Sequence, residues 1–94
     1  MTQNEKIKLI VKALDSKKAD GIQAIKISDL TILADYFIIA GGTSNTHTKT
    51  LAEEVEYQLS QNGIEPYKTE GYNGSGWIIL DYSDVVVHVF YKEM

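Results

Sequence analysis

The sequence predicts an α+β fold within the broad α/β class: a single small domain in which helices pack a mixed β-sheet. Three observations carry that prediction. Two segments repeat their apolar residues at helical spacing, several short runs are β-branched or aromatic, and a glycine turn joins one of those runs directly to a helix. A chain of 94 residues buries only about 60–65% of its unfolded surface, so one compact core is the ceiling. Residues 1–94 are therefore read as one domain.

The elements follow in order. Ile7, Ile10, Val11 and Leu14 form one apolar stripe, so the first segment is a helix. Thr2 and Glu5 have the spacing of a capping box at its start, and Gly21 is its expected stop. Ile22 to Ile27 suggests a strand, and Ser28 to Leu33 is ambiguous between a turn and a short extension. Asp35-Tyr-Phe-Ile-Ile-Ala40 reads as a buried strand that ends at Gly41-Gly-Thr-Ser-Asn45. Two glycines allow a tight turn there, and Thr43, Ser44 or Asn45 can cap the next helix. Leu51, Val55 and Leu59 step every four residues along that helix, which runs to about Asn62 and closes at Gly63. Pro66 confines the strand suggested by Glu65 to Glu70 to an edge. After a glycine-rich turn at Gly71 to Gly76, the runs Gly76–Tyr82 and Asp84–Tyr91 form a hairpin. The order is α-β-β-α-β-β-β.

Hydrophobic residues at 44% and charged residues at 23% suit an ordinary globular chain. No apolar run approaches the roughly 18–20 residues that cross a bilayer, so no membrane association is expected. The N-terminus shows no secretory pattern. With no cysteine, disulfides, thiolate catalysis and cysteine-based zinc sites are excluded. This is compatible with a reducing cytoplasm, the expected location. All nine basic residues are lysines and the net charge is −4. Without arginine, the usual bidentate reader of guanine, direct sequence-specific nucleic-acid binding is not expected. An acidic domain suits a basic protein partner instead.

Two groups of residues invite chemistry. The turn at Gly41–Asn45 looks like the Gly-Gly-Ser-type turn of nucleotidyltransferases, and amides at a helix start attract anions. Those enzymes place paired carboxylates on the following strand for two metals. Here Glu54 and Glu56 sit on a helix, where two residues apart means diverging faces, and Glu65 and Glu70 lie at the ends of the next strand. A capping turn explains the residues more simply. His47 and His88 have no regular ligand spacing, so no metal or cofactor is expected. His47 reads as a solvated side chain. His88 alternates with Val86 and Phe90 on one strand face, with Val85, Val87 and Val89 on the other. It reads as a half-buried histidine or a polar contact on a binding face. Trp77, Tyr72, Tyr82 and Tyr91 cluster with Asp81 and Asp84, which suits either sheet core or an aromatic interface ringed by acids.

Asp35-Tyr-Phe-Ile-Ile-Ala-Gly-Gly-Thr-Ser-Asn45, Gly71, and Gly76-Trp-Ile-Ile-Leu-Asp-Tyr-Ser-Asp-Val-Val-Val-His-Val-Phe90 together resemble the iojap-like ribosomal silencing factor family over nearly the whole chain. The resemblance implies a fold similar to that of nucleotidyltransferases without the catalytic carboxylates, and no enzymatic activity. It implies binding to the large ribosomal subunit through its ribosomal protein uL14. Occupying that surface sterically blocks association with the small subunit and represses translation, notably under nutrient limitation. It also implies a homodimer when free. The partner-binding residues carried over are Glu70, Gly71, Trp77, Asp81, Tyr82, Asp84 and His88, with Trp77 and Tyr82 as apolar anchors. Glu70, Asp81 and Asp84 would pair with lysines or arginines of the partner. Family members usually continue into a short aromatic and charged tail, which is expected to be absent after Glu93-Met94. The alternative is a nucleotide-binding enzyme of nucleotidyltransferase type using the Gly41–Asn45 turn.

Overall fold

A computed structural model of the chain describes residues 1–28, 34–74 and 76–91. The first helix, α1, spans Gln3–Ser16. Thr2 caps it as the spacing predicts: its hydroxyl accepts from the Glu5 amide at 3.1 Å, and the Glu5 carboxylate accepts from the Thr2 amide at 3.0 Å. The helix ends before Gly21. Lys18 takes the left-handed conformation (φ +62), and the amides of Lys18 and Ala19 return to the carbonyls of Asp15 and Leu14, so a lysine does what glycine was expected to do. Gly21 lies instead within strand β1, Asp20–Lys26, at φ +60, where the register with the neighbouring strand shifts between Asp20 and Gln23. A residue with no Cβ tolerates that bulge.

Strand β2 runs Tyr36–Gly42, so both glycines of the expected turn belong to the strand. Helix α2 follows over Asn45–Ser60, capped by Ser44. The short β3, Lys68–Glu70, and the hairpin of β4, Trp77–Asp81, and β5, Val85–Tyr91, complete the chain. The strand proposed from Glu65 thus begins at Lys68, beyond Pro66. The ambiguous stretch of the sequence lies, apart from Ser28, outside the described residues. No helix among the described residues is long and apolar enough to cross a membrane.

One five-stranded sheet results, in the order β1-β2-β5-β4-β3. The β2–β5 pair is parallel and the other pairs are antiparallel, which makes the sheet mixed as expected. The fully buried side chains alternate along the central strands: Ile38 and Ala40 of β2, Leu80 of β4, and Val85, Val87 and Val89 of β5. They form one cluster with Ile10 and Leu14 of α1 and Leu51, Val55 and Leu59 of α2. Both helices therefore cover the same sheet face. Each fully buried Leu or Ile contributes about 1.5–3 kcal/mol of transfer free energy.

Polar side chains fasten α1 to the turn of the hairpin. Lys6 Nζ lies 2.7 Å from Asp84 Oδ1, and Gln3 Nε2 donates to Asp35 Oδ2 at 2.8 Å and to Asp84 Oδ2 at 3.3 Å. Burial pushes the Asp84 carboxyl up, but the hydrogen bonds from Lys6 and Gln3 and the Lys6 charge outweigh it. The net result lies below the ordinary carboxylate value. A carboxylate depressed in this way adds stability above its unfolded pKa of about 3.9, and that stability is lost as pH falls through the folded value. Asp84→Asn is expected to lower neutral-pH stability by about 1 kcal/mol and to flatten the acid limb below about pH 4. Urea unfolding across a pH series checks this, and an acid limb identical to the parent's would remove the pair from the stability balance.

Candidate functional site

Strand alternation sends every second side chain away from the helices, and on that side no helix lies among the described residues. The register places Phe37 beside Val86 and Ile39 beside His88 across β2 and β5. Across β5 and β4, Phe90, His88 and Val86 meet Trp77, Ile79 and Asp81. Ile25 extends the row at β1, and Lys68 and Glu70 close it at β3. A mostly apolar floor with charged groups along one margin results. Trp77 is 36% exposed and Ile25 39%, and the other apolar members are half-buried.

His88 sits in the middle of this face. Its ring centroid is 5.8 Å from Phe37, 5.9 Å from Phe90 and 6.5 Å from Trp77, with tilted or edge-on geometry. Burial lowers the imidazole below its ordinary value. Beside it, Gly76, Trp77, Phe90 and Tyr91 form a notch of about 380 Å³. At the β3 margin the Lys68 ammonium lies 3.0 Å from the Glu70 carboxylate, and that pairing raises Lys68 above its ordinary value. Asp81 Oδ1 accepts from the Ser83 amide at 2.8 Å, which shapes the hairpin turn.

The seven residues expected to bind a partner therefore separate. Glu70, Trp77, Asp81 and His88 share the open face. Gly71 stands behind it for a backbone reason: at φ +91, a Cβ added there would lie 2.0 Å from the Trp77 carbonyl oxygen. Tyr82 is a correction. It follows Ile78 and Leu80 onto the helix side, is 5% exposed, and cannot anchor a partner on the opposite face. Its hydroxyl has no protein hydrogen-bond partner among the described residues, and burial, with Glu56 and Glu65 nearby, pushes its pKa up. Tyr72 lies in the same region, donating to Glu56, with its pKa likewise raised by burial and by that bond. Asp84 stands apart from these, its carboxylate held by Lys6 and Gln3 at the turn of the hairpin. The residues that sequence reading left out of the site are Ile25, Phe37, Ile39, Ile79, Val86 and Phe90. Their only signal was two-residue alternation, which does not say which face the helices take.

The glycine turn serves the helix start. Ser44 Oγ accepts from the His47 amide at 3.0 Å, and Thr48 Oγ1 donates to the Ser44 carbonyl at 2.8 Å. A Cβ on Gly42 would lie 2.4 Å from Thr48 Oγ1, so glycine lets strand and helix touch. His47 is not the solvated side chain expected of it. Its Nδ1 accepts from the Thr43 amide at 2.9 Å, which leaves Nε2–H to donate to the Lys17 carbonyl at 2.7 Å. It thereby links the end of α1 to the turn. A cleft of about 350 Å³ lies between the start of α2 and the 71–76 turn, lined by Lys49, Tyr72 and Trp77, with no carboxylate among its described lining residues. Glu54 and Glu56 diverge, the first accepting from Gln58 and the second from Tyr72. The two carboxylates of this pair therefore do not converge on one point.

Gly74 matches Gly71 in conformation (φ +92) but has nothing within 4 Å of an added Cβ. Gly74→Ala is expected to cost about 1 kcal/mol, and Gly71→Ala more than about 3 kcal/mol, because strain and collision combine. Thermal unfolding of both variants checks the difference, and equal losses would contradict the Trp77 contact. Tyr82→Phe is expected to leave stability unchanged or raised, within about 1 kcal/mol, because it removes a buried hydroxyl with no protein partner. It should also leave partner binding unaltered.

Comparisons with known proteins agree with this geometry. The chain matches the family model "Ribosomal silencing factor during starvation" (RsfS) over residues 1–94. It is 38% identical over 93 residues to ribosomal silencing factor RsfS of Bacillus subtilis, covering 99% of this chain and 79% of that protein. A mouse relative named "Mitochondrial assembly of ribosomal large subunit protein 1" is 28% identical over 90 residues, covering 93% of this chain and 40% of that protein. A crystal structure of a Chromobacterium violaceum protein superposes with a TM-score of 0.93 at 36% identity, covering 97% of this chain and 76% of that one. With the family matched from end to end and the sheet-and-helix framework shared with a solved relative, the chain belongs to the ribosomal silencing factors, a family of regulators and not of enzymes.

Proposed function

We propose that this chain binds the large ribosomal subunit through the open sheet face, docks there on ribosomal protein uL14, and sterically blocks association with the small subunit, so repressing translation. The observation that carries the reading is the uncovered apolar face. On a sheet whose central strands are packed by the helices on the other side, Phe37, Ile39, Trp77, Ile79, Val86 and Phe90 remain in reach of solvent. Contiguous apolar surface of this kind on a small domain marks an interaction site. The two longer dimensions of the molecule, 31 and 30 Å, suit a standard interface of about 800 Å² per partner. The net charge of −4 and the carboxylates of Glu70 and Asp81 at the margin favour a basic partner such as a ribosomal protein. The name of the mouse relative supports the large subunit as the target.

The mechanism requires occupancy and no turnover. Trp77 supplies the exposed aromatic surface at one end of the face, and Ile79, His88 and Ile39 continue it inward. When free, the chain covers the same face with a second copy, forming a homodimer, because apolar surface left in water favours association. Ribosome binding also implies a cytoplasmic location.

Co-sedimentation with purified large subunits tests the reading, with small subunits as competitor. The parent chain should bind saturably and exclude the small subunit. Trp77→Ala, still folded by circular dichroism, should lose about thirtyfold in affinity or more, equivalent to about 2 kcal/mol for an aromatic anchor buried on binding. A folded variant that binds as tightly as the parent would remove the open face from the interface.

A further inference from the structure

We propose that docking on the open sheet face is proton-linked through His88: the face accepts its partner with the imidazole neutral and releases it when the imidazole is charged. The inference rests on the reading of that face as the docking surface. Three features of the structure support it.

The first is position. His88 lies on the middle strand of the face, with Ile39 on one side and Ile79 on the other and the rings of Phe37, Phe90 and Trp77 around it. A partner that covers the hydrophobic floor covers the imidazole as well. The second is the lack of internal compensation. Neither ring nitrogen has a hydrogen-bond or ion-pair partner among the described residues, and burial already disfavours the charged form in the free chain. Removing the remaining water acts in the same direction.

The third is charge. Of the strands beside His88, β2 presents only Phe37 and Ile39 on this side, and β4 presents Trp77, Ile79 and Asp81. Asp81 stands opposite Val86, one step along the face from His88, and accepts from the Ser83 amide. Glu70 is two strands away and paired with Lys68. Asp20 lies beyond Phe90, near Gly21 and Gly41. Among the described residues, no carboxylate is therefore placed to hold an imidazolium. A basic partner adds repulsion to desolvation, so both terms favour the neutral ring in the complex.

The sign follows from linkage. Above the free chain's His88 pKa, which burial holds below the ordinary histidine value, affinity is insensitive to this proton. As pH falls through that value the dissociation constant rises, by up to about tenfold per unit.

The test is binding of nanomolar labelled chain to purified large subunits from pH 8 to pH 5.5 at fixed ionic strength. The low concentration keeps a second copy from competing. The parent and His88→Gln are compared by slope, whatever the variant's absolute affinity. The expected result is a parent dissociation constant that rises toward the acid end of that range and a variant curve that lacks that rise. Calorimetry of the parent near pH 6 in two buffers of different ionisation enthalpy should show net proton release on binding. A flat parent curve, a variant with the parent's slope, or proton uptake overturns the proposal while leaving the docking reading intact. A folded parent that binds at no pH overturns the docking reading, and this inference with it.

Discussion

The parallel pairing of β2 with β5 is the constraint on which the rest of the structure depends. Seven residue pairs run from Tyr36 opposite Val85 to Gly42 opposite Tyr91. Parallel neighbours cannot be joined by a tight turn, so the chain between them must cross over. Here that excursion contains α2, β3 and β4. The pairing sets Ile38 and Ala40 against Val87 and Val89 on the helix side, and Phe37 and Ile39 against Val86 and His88 on the other. Core and open face are thus two sides of one register. A slip of a single residue would exchange them.

The fold accommodates this central pair at both ends. At one end Gly42 lets the strand touch Thr48, and Ser44 and His47 turn the chain into α2 while fastening it to the end of α1. At the other, Asp84 accepts from Lys6, and its carbonyl receives the amides of Asp35 and Tyr36. Residues that resemble a catalytic turn or an exposed acidic patch are committed to these joints. Between the joints lies the open sheet face, which is mostly apolar and has few charges.

Much of this was legible in the sequence. The order of elements, the capping box at Thr2 and Glu5, the hairpin after Gly76 and the alternation of Val85 to Phe90 follow from local periodicity and local hydrogen bonding. Four of the seven expected site residues share the open face. The misses have a common cause. Tyr82 lies one residue beyond β4 and continues its inward alternation, yet in sequence it looks as available as Trp77. Asp84 meets Lys6, which is 78 residues away, and His47 meets the Lys17 carbonyl 30 residues away. Neither pairing has a local signature. The expected helix stop at Gly21 failed for a related reason: the chain needed glycine for the β1 bulge, and Lys18 could adopt the left-handed turn alone.

The sequence by itself determined the local states of the backbone and, through a block resembling a known family, the kind of protein this is. Helical stripes, alternating strands and glycine turns depend on interactions within a few residues, and those are written in order along the chain. Only the tertiary structure decided which side of the sheet the helices cover. That choice depends on contacts between α2 and the central strands, made across the parallel crossover. It is this choice that separates Tyr82, enclosed in the core, from Trp77 and His88, left facing water.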